Sequence, residues 1–96
     1  MQKTILIVGT YDTKDPELQF VAETIQKMGG AVIEMDVSVL GDPSRAVAVS
    51  KHDVAAAAGK TIQDAIDAGD ENHAMQIMAL GASRLTAQLY AQGRID

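Results

Sequence analysis

The residues with the most chemistry per position are Gly9-Thr10-Tyr11-Asp12-Thr13-Lys14. Gly9 lets backbone approach a ligand closely, Thr10 and Thr13 carry hydroxyls, and Lys14 supplies a point charge for phosphate. Asp12 is a candidate for Mg²⁺ or a ribose hydroxyl. Together they form a candidate nucleotide loop. The spacing matches neither common nucleotide motif: a Walker loop needs a second glycine before its lysine, and a dinucleotide fingerprint needs three spaced glycines. The same residues also read as a turn in which Asp12 and Thr13 cap the next helix and Lys14 is solvated. Asp36 is a second candidate, for a ribose or a metal-bound water, or else a strand-terminating aspartate facing solvent.

Other reactive side chains give less. His52 and His73 lack the i, i+4 pairing of a metal-binding helix face and read as surface or capping residues, so no metal ligand is assigned. Asp67, Asp70 and Glu71 sit where helix caps and dipoles explain them. No serine lies on a glycine-flanked elbow, so no nucleophilic triad is read and the catalytic residues are unknown. With no cysteine, thiol and disulfide chemistry drop out. A net charge of −5 without a Lys/Arg cluster argues against nucleic acid as a partner. No apolar run approaches the ~20 residues of a membrane span, and no signal peptide follows Met1, so a cytoplasmic protein without a membrane partner is expected.

The loop needs a frame. Thr4-Ile5-Leu6-Ile7-Val8 is a β-branched run closed by Gly9, the pattern of a strand in a parallel sheet. Asp15-Pro16-Glu17 offers an N-cap, a proline for the first turn and an acid at the positive helix end. Leu18, Val21, Ala22, Ile25 and Met28 then trace a helical stripe that Gly29-Gly30 ends. Residues 31–37 give a second strand, and the strand-helix-strand unit is expected to be parallel and right-handed. Ser50 with Asp53, and Thr61 with Asp64, resemble capping boxes opening two short helices stopped by Gly59 and Gly69. A long helix from about Asp70 to Gln92 carries Ala74, Ile77, Met78, Gly81, Ala82, Leu85 and Leu89 on one stripe. Met28, Met35, Met75 and Met78 read as packing residues.

This order of elements predicts an α/β fold: a Rossmann-like three-layer parallel sheet with flanking helices, residues 1–96 being the N-terminal portion of a single nucleotide-binding domain. Two strands are rarely stable alone. Completion by a further chain segment or by another copy in a homo-oligomer is therefore expected, with Arg94-Ile95-Asp96 leading toward a third strand.

Ile7-Val8-Gly9-Thr10-Tyr11-Asp12-Thr13-Lys14, followed by Glu17-Leu18 and Phe20, resembles a largely uncharacterised family that includes the ATP-binding N-terminal domain of a plant tomato mosaic virus resistance protein. Val54-Ala55-Ala56-Ala57-Ala58-Gly59, Gly81-Ala82 and Leu89 to Asp96 also look like that family's segments. The resemblance implies an ATP site, with Mg²⁺, to which Gly9, Thr10, Asp12, Thr13 and Lys14 contribute. It also implies longer proteins in which a strand and a glycine-rich loop, supplying the other half of that site, follow the position of Asp96. Three function classes remain open: an ATP-binding module, a nucleotide-dependent phosphotransferase or hydrolase subunit, and an interaction or oligomerisation module without its own ligand.

Overall fold

The computed structural model describes residues 2–96. Six elements follow in order: β1 (Thr4–Gly9), α1 (Asp15–Lys27), β2 (Ala31–Asp36), α2 (Lys51–Ala57), α3 (Ile62–Ile66) and α4 (Glu71–Ala91). β1 and β2 pair in parallel from Thr4↔Ala31 to Gly9↔Asp36, so both strands end together. Val49 adds an isolated parallel bridge to Met35 on the outer side of β2. This is a small α/β fold with two parallel strands. A Rossmann-like three-layer sheet is a finer statement than two strands carry.

Alternation along the strands divides the side chains between two faces. Leu6, Ile33 and Met35 face a core shared with Val54 and Ala55 of α2, Met78 and Leu89 of α4, and Ile95. Gly9 backs onto Leu18 of α1 on the other face, where a methyl group on Gly9 would lie 2.6 Å from the leucine Cδ1. α4 buries Ala74, Met78, Gly81 and Leu89, which follow the expected stripe. It crosses α2 so closely that any Cβ at Gly81 would collide with the Val54 carbonyl oxygen.

The helix signals in the sequence are realised with one shift. Ser50 and Asp53 exchange both capping-box hydrogen bonds, as do Thr61 and Asp64. Asp70 caps α4 by accepting from the His73 N–H at 2.8 Å. Glycines 29, 59, 69 and 93, with φ between 72° and 90°, follow helix ends in the left-handed region. α1, however, begins one residue early: Lys14 is its N-cap position and makes no side-chain cap. Asp15, expected as the cap, is drawn away by Arg45.

Packing departs from the stripe at two methionines. Met35 and Met78 are core residues, whereas Met28 and Met75 are exposed. Met28 stands past the last turn of α1, and Met75 lies on the side of α4 that lines an open cavity.

Candidate functional site

The paired strand ends bring two loops together. After β1, Thr10 O accepts from Thr13 N–H at 3.3 Å and Lys14 N–H at 2.9 Å, which makes residues 10–14 a tight turn. After β2, Val37 N–H donates to Gly9 O at 2.9 Å. Asp36 joins the two. Its Oδ1 accepts from Tyr11 N–H at 3.2 Å, Ser38 N–H at 2.9 Å and Ser38 Oγ at 2.7 Å. Asp36 is 1% exposed, so these donors replace the water that a buried carboxylate requires.

Tyr11 points inward, and its ring is covered by the Arg45 guanidinium at 5.6 Å. Arg45 forks onto Glu34, with Nη1 to Oε1 at 3.0 Å and Nη2 to Oε2 at 2.8 Å. Its Nε reaches Asp15 Oδ1 at 3.1 Å. One guanidinium thus clamps β2, the start of α1 and the 37–50 connection. The Arg45 hydrogen bonds hold the Glu34 carboxyl below the usual carboxylate range. The Tyr11 hydroxyl is buried beside the Glu34 carboxylate, and that burial, reinforced by Glu34, pushes its pKa up.

The same connection is held a second time. Lys51, 6% exposed, donates from Nζ to Gly41 O at 2.7 Å and pairs with Asp42 Oδ1 at 2.8 Å. Gly41 must be small because a Cβ there would lie 2.8 Å from Asp12 Oδ2. Both loops are therefore fixed against each other beyond the carboxyl ends of the strands, the position at which open α/β sheets in general bind ligands.

Beside them opens a cavity of about 970 Å³. Thr10, Asp12, Thr13 and Ser38 line one side; Asp70 and Glu71, at the start of α4, line another. Val8, Leu40 and Met75 are among its apolar walls. No lysine or arginine lines it. This donor set fits the base and sugar of a nucleotide, with apolar surface for a ring and oxygens for hydroxyls. Phosphates fit only with a cation between them and the carboxylates. Among the described residues no group of three or more His, Asp or Glu is placed to hold a metal by itself, so a Mg²⁺ here would rest on Asp12 and the phosphates.

The candidate residues thus separate. Thr10, Asp12 and Thr13 line the cavity, while Gly9 lies behind them against Leu18. Lys14 is exposed at the start of α1 and outside the lining. Asp36 is neither solvent-facing nor a lining residue; it holds the loop from within. Arg45, Glu34 and Lys51 carried no signal in sequence, because their partners lie nine or more residues away across an irregular segment.

Residues 3–96 match the model of the uncharacterised protein family UPF0261, N-terminal domain, and the chain belongs to that family. It is 51% identical over 92 residues to a UPF0261 protein of Brucella suis biovar 1 and 50% identical over 92 residues to one of Brucella melitensis biotype 1. It is 36% identical over 89 residues to a UPF0261 protein of Clostridium tetani. These matches cover 96%, 96% and 93% of this chain but 22% of each relative, so the chain spans about a fifth of their length. No solved structure matches it. No helix among the described residues is long and apolar enough to cross a membrane.

Proposed function

We propose that this chain is a nucleotide-binding module, the N-terminal part of a cytoplasmic ATP-binding domain whose full form is a Rossmann-like three-layer sheet. The observation that carries the reading is the cavity beyond the paired strand ends, lined by Thr10, Asp12 and Thr13. The likeness of residues 7–14 to the ATP-binding domain of the tomato mosaic virus resistance protein supports ATP as the nucleotide.

In this reading the apolar walls take the adenine, and the Thr10 and Thr13 hydroxyls meet the sugar or phosphates. Asp12 holds Mg²⁺, which offsets the repulsion between the phosphates and the carboxylates of Asp12, Asp70 and Glu71. Lys14 reaches the outer phosphates from the rim. Asp36 and Arg45 position the loop without touching the ligand. Further chain, or a second copy, supplies the remaining cations.

Calorimetric titration of the intact Brucella suis relative with ATP, with and without Mg²⁺, tests this. Mg-ATP is expected to bind it and to bind the present chain weakly or not at all; removal of Mg²⁺ is expected to weaken ATP binding at least tenfold, and alanine at the position matching Lys14 to weaken Mg-ATP about tenfold. Adenosine binding is expected to be indifferent to Mg²⁺. Equal affinity for ATP in Mg²⁺ and in chelator overturns the assigned role of Asp12.

A further inference from the structure

Lys51 stands where two local rules discourage a lysine. It is 6% exposed, and it is the first residue of α2, at the positive end of a helix. Its backbone is fixed from one side by Val49, which bridges to Met35 at the edge of β2, and from the other by the Ser50 cap of α2. From there the side chain runs back to the turn at residues 39–42. Nζ donates to Gly41 O at 2.7 Å and Val39 O at 3.4 Å, and pairs with Asp42 Oδ1 at 2.8 Å. A buried ammonium needs such partners, and two of these three are main-chain carbonyls of one turn.

That turn meets the loop after β1. Gly41 faces the Asp12 side chain so closely that a Cβ at Gly41 would lie 2.8 Å from Asp12 Oδ2 and 2.9 Å from Asp12 Cβ. Main chain held this near limits the staggered wells open to the Asp12 side chain. Ser38 Oγ lies 3.5 Å from Gly41 O but gives its one proton to Asp36 Oδ1 at 2.7 Å, so the Gly41 carbonyl depends on Lys51. Asp12 lines the cavity, whereas Gly41 and Lys51 do not.

We infer that Lys51 and Gly41 are positioning residues for Asp12: the ammonium fixes the Gly41 main chain, and Gly41 sets the direction in which Asp12 presents its carboxylate to the cavity. What that carboxylate meets, the Mg²⁺ of a bound nucleotide, rests on the reading proposed above. The Lys51 charge is spent on the turn, in keeping with a cavity that no lysine or arginine lines. A sequence that breaks local rules at one buried residue does so where a site requires it.

Calorimetry on the intact Brucella suis relative reads the consequence. Alanine at the position matching Gly41 and methionine at the position matching Lys51 are each expected to weaken Mg-ATP about tenfold and to leave adenosine binding within about twofold. The methionine adds no Cβ to the turn and leaves Asp42 exposed to solvent, so this second variant folds whether or not the first does. With alanine already at the position matching Asp12, either change is expected to cost no further affinity, an outcome that a merely structural role does not produce. Unchanged Mg-ATP affinity, losses that add to that of the Asp12 change, or adenosine falling as far as Mg-ATP overturns the inference.

A readout without ligand separates this from the ATP reading. The three-bond couplings to Asp12 Cγ, in the labelled chain or at the matching position of the labelled relative, are expected to report one rotamer in the parent and to move on Gly41→Ala and Lys51→Met. Couplings that stay the same overturn the inference whether or not ATP binds. Couplings that move in a protein indifferent to Mg-ATP support the positioning role and reject the nucleotide reading.

Discussion

The Asp36 carboxylate accepts a hydrogen bond from the Tyr11 backbone N–H at 3.2 Å and so fastens the end of β2 to the loop after β1. The bond spans 25 residues of sequence and orders the turn whose side chains line the cavity. With Ser38 supplying two more donors, one buried oxygen organises both loops.

Asp36→Ala leaves the buried Tyr11 and Ser38 N–H groups without an acceptor, while the Ser38 hydroxyl keeps the Gly41 carbonyl at 3.5 Å, and is expected to lower stability by about 2–3 kcal/mol, measured by denaturant unfolding. Asp36→Asn keeps an acceptor oxygen and is expected to lose about 1 kcal/mol. Equal stability of Asp36→Ala and the parent protein would remove the anchoring role.

The Arg45 clamp has a pH signature. Glu34 has a folded-state pKa depressed below its ordinary 4.5, mainly by the Arg45 hydrogen bonds. A depressed carboxylate contributes stability that is fully present above its unfolded pKa and lost as pH falls through the folded one. Stability of the parent is therefore expected to fall in acid below about pH 4.5, and less so in Glu34→Gln, whose side chain does not titrate. Arg45→Ala strands two partly buried carboxylates and is expected to lose about 2–4 kcal/mol near neutral pH. Chemical denaturation across pH 3–7 measures both; parallel acid profiles for the parent and Glu34→Gln would contradict the assignment.

Gly81→Ala puts a methyl group into the Val54 carbonyl where α4 crosses α2. Backbone cannot yield as a flexible side chain does, so a loss of about 2–3 kcal/mol is expected despite the better helix propensity of alanine. Gly9→Ala meets only the Leu18 side chain, both terminal methyls and Cγ, which can shift, and is expected to cost about 1 kcal/mol. Thermal unfolding of the two variants should rank them in that order.

Much of this frame was legible because its causes are local. Ser50 with Asp53, Thr61 with Asp64, and the glycines after each helix act over a few residues, and the α4 stripe is set by helical period alone. The position of residues 10–14 between β1 and α1 is legible too, since a glycine after a β-branched run marks a strand end. What sequence hid is long-range. Arg45 takes Asp15 from its expected cap, Asp36 turns inward to the Tyr11 N–H, and Met75 lies beside an open edge. Each depends on a partner distant in the chain, about which local spacing is silent.

The central claim is that the cavity beside Thr10, Asp12 and Thr13 receives a nucleotide, and amide chemical-shift mapping during a Mg-ATP titration of the labelled protein tests it most directly. Shifts are expected at Thr10, Asp12, Thr13 and Lys14, and across the cavity at Leu40, Asp70 and Glu71, all saturating with one dissociation constant. Saturable shifts confined to another surface, or none at millimolar Mg-ATP in the intact Brucella suis relative as well, would contradict it.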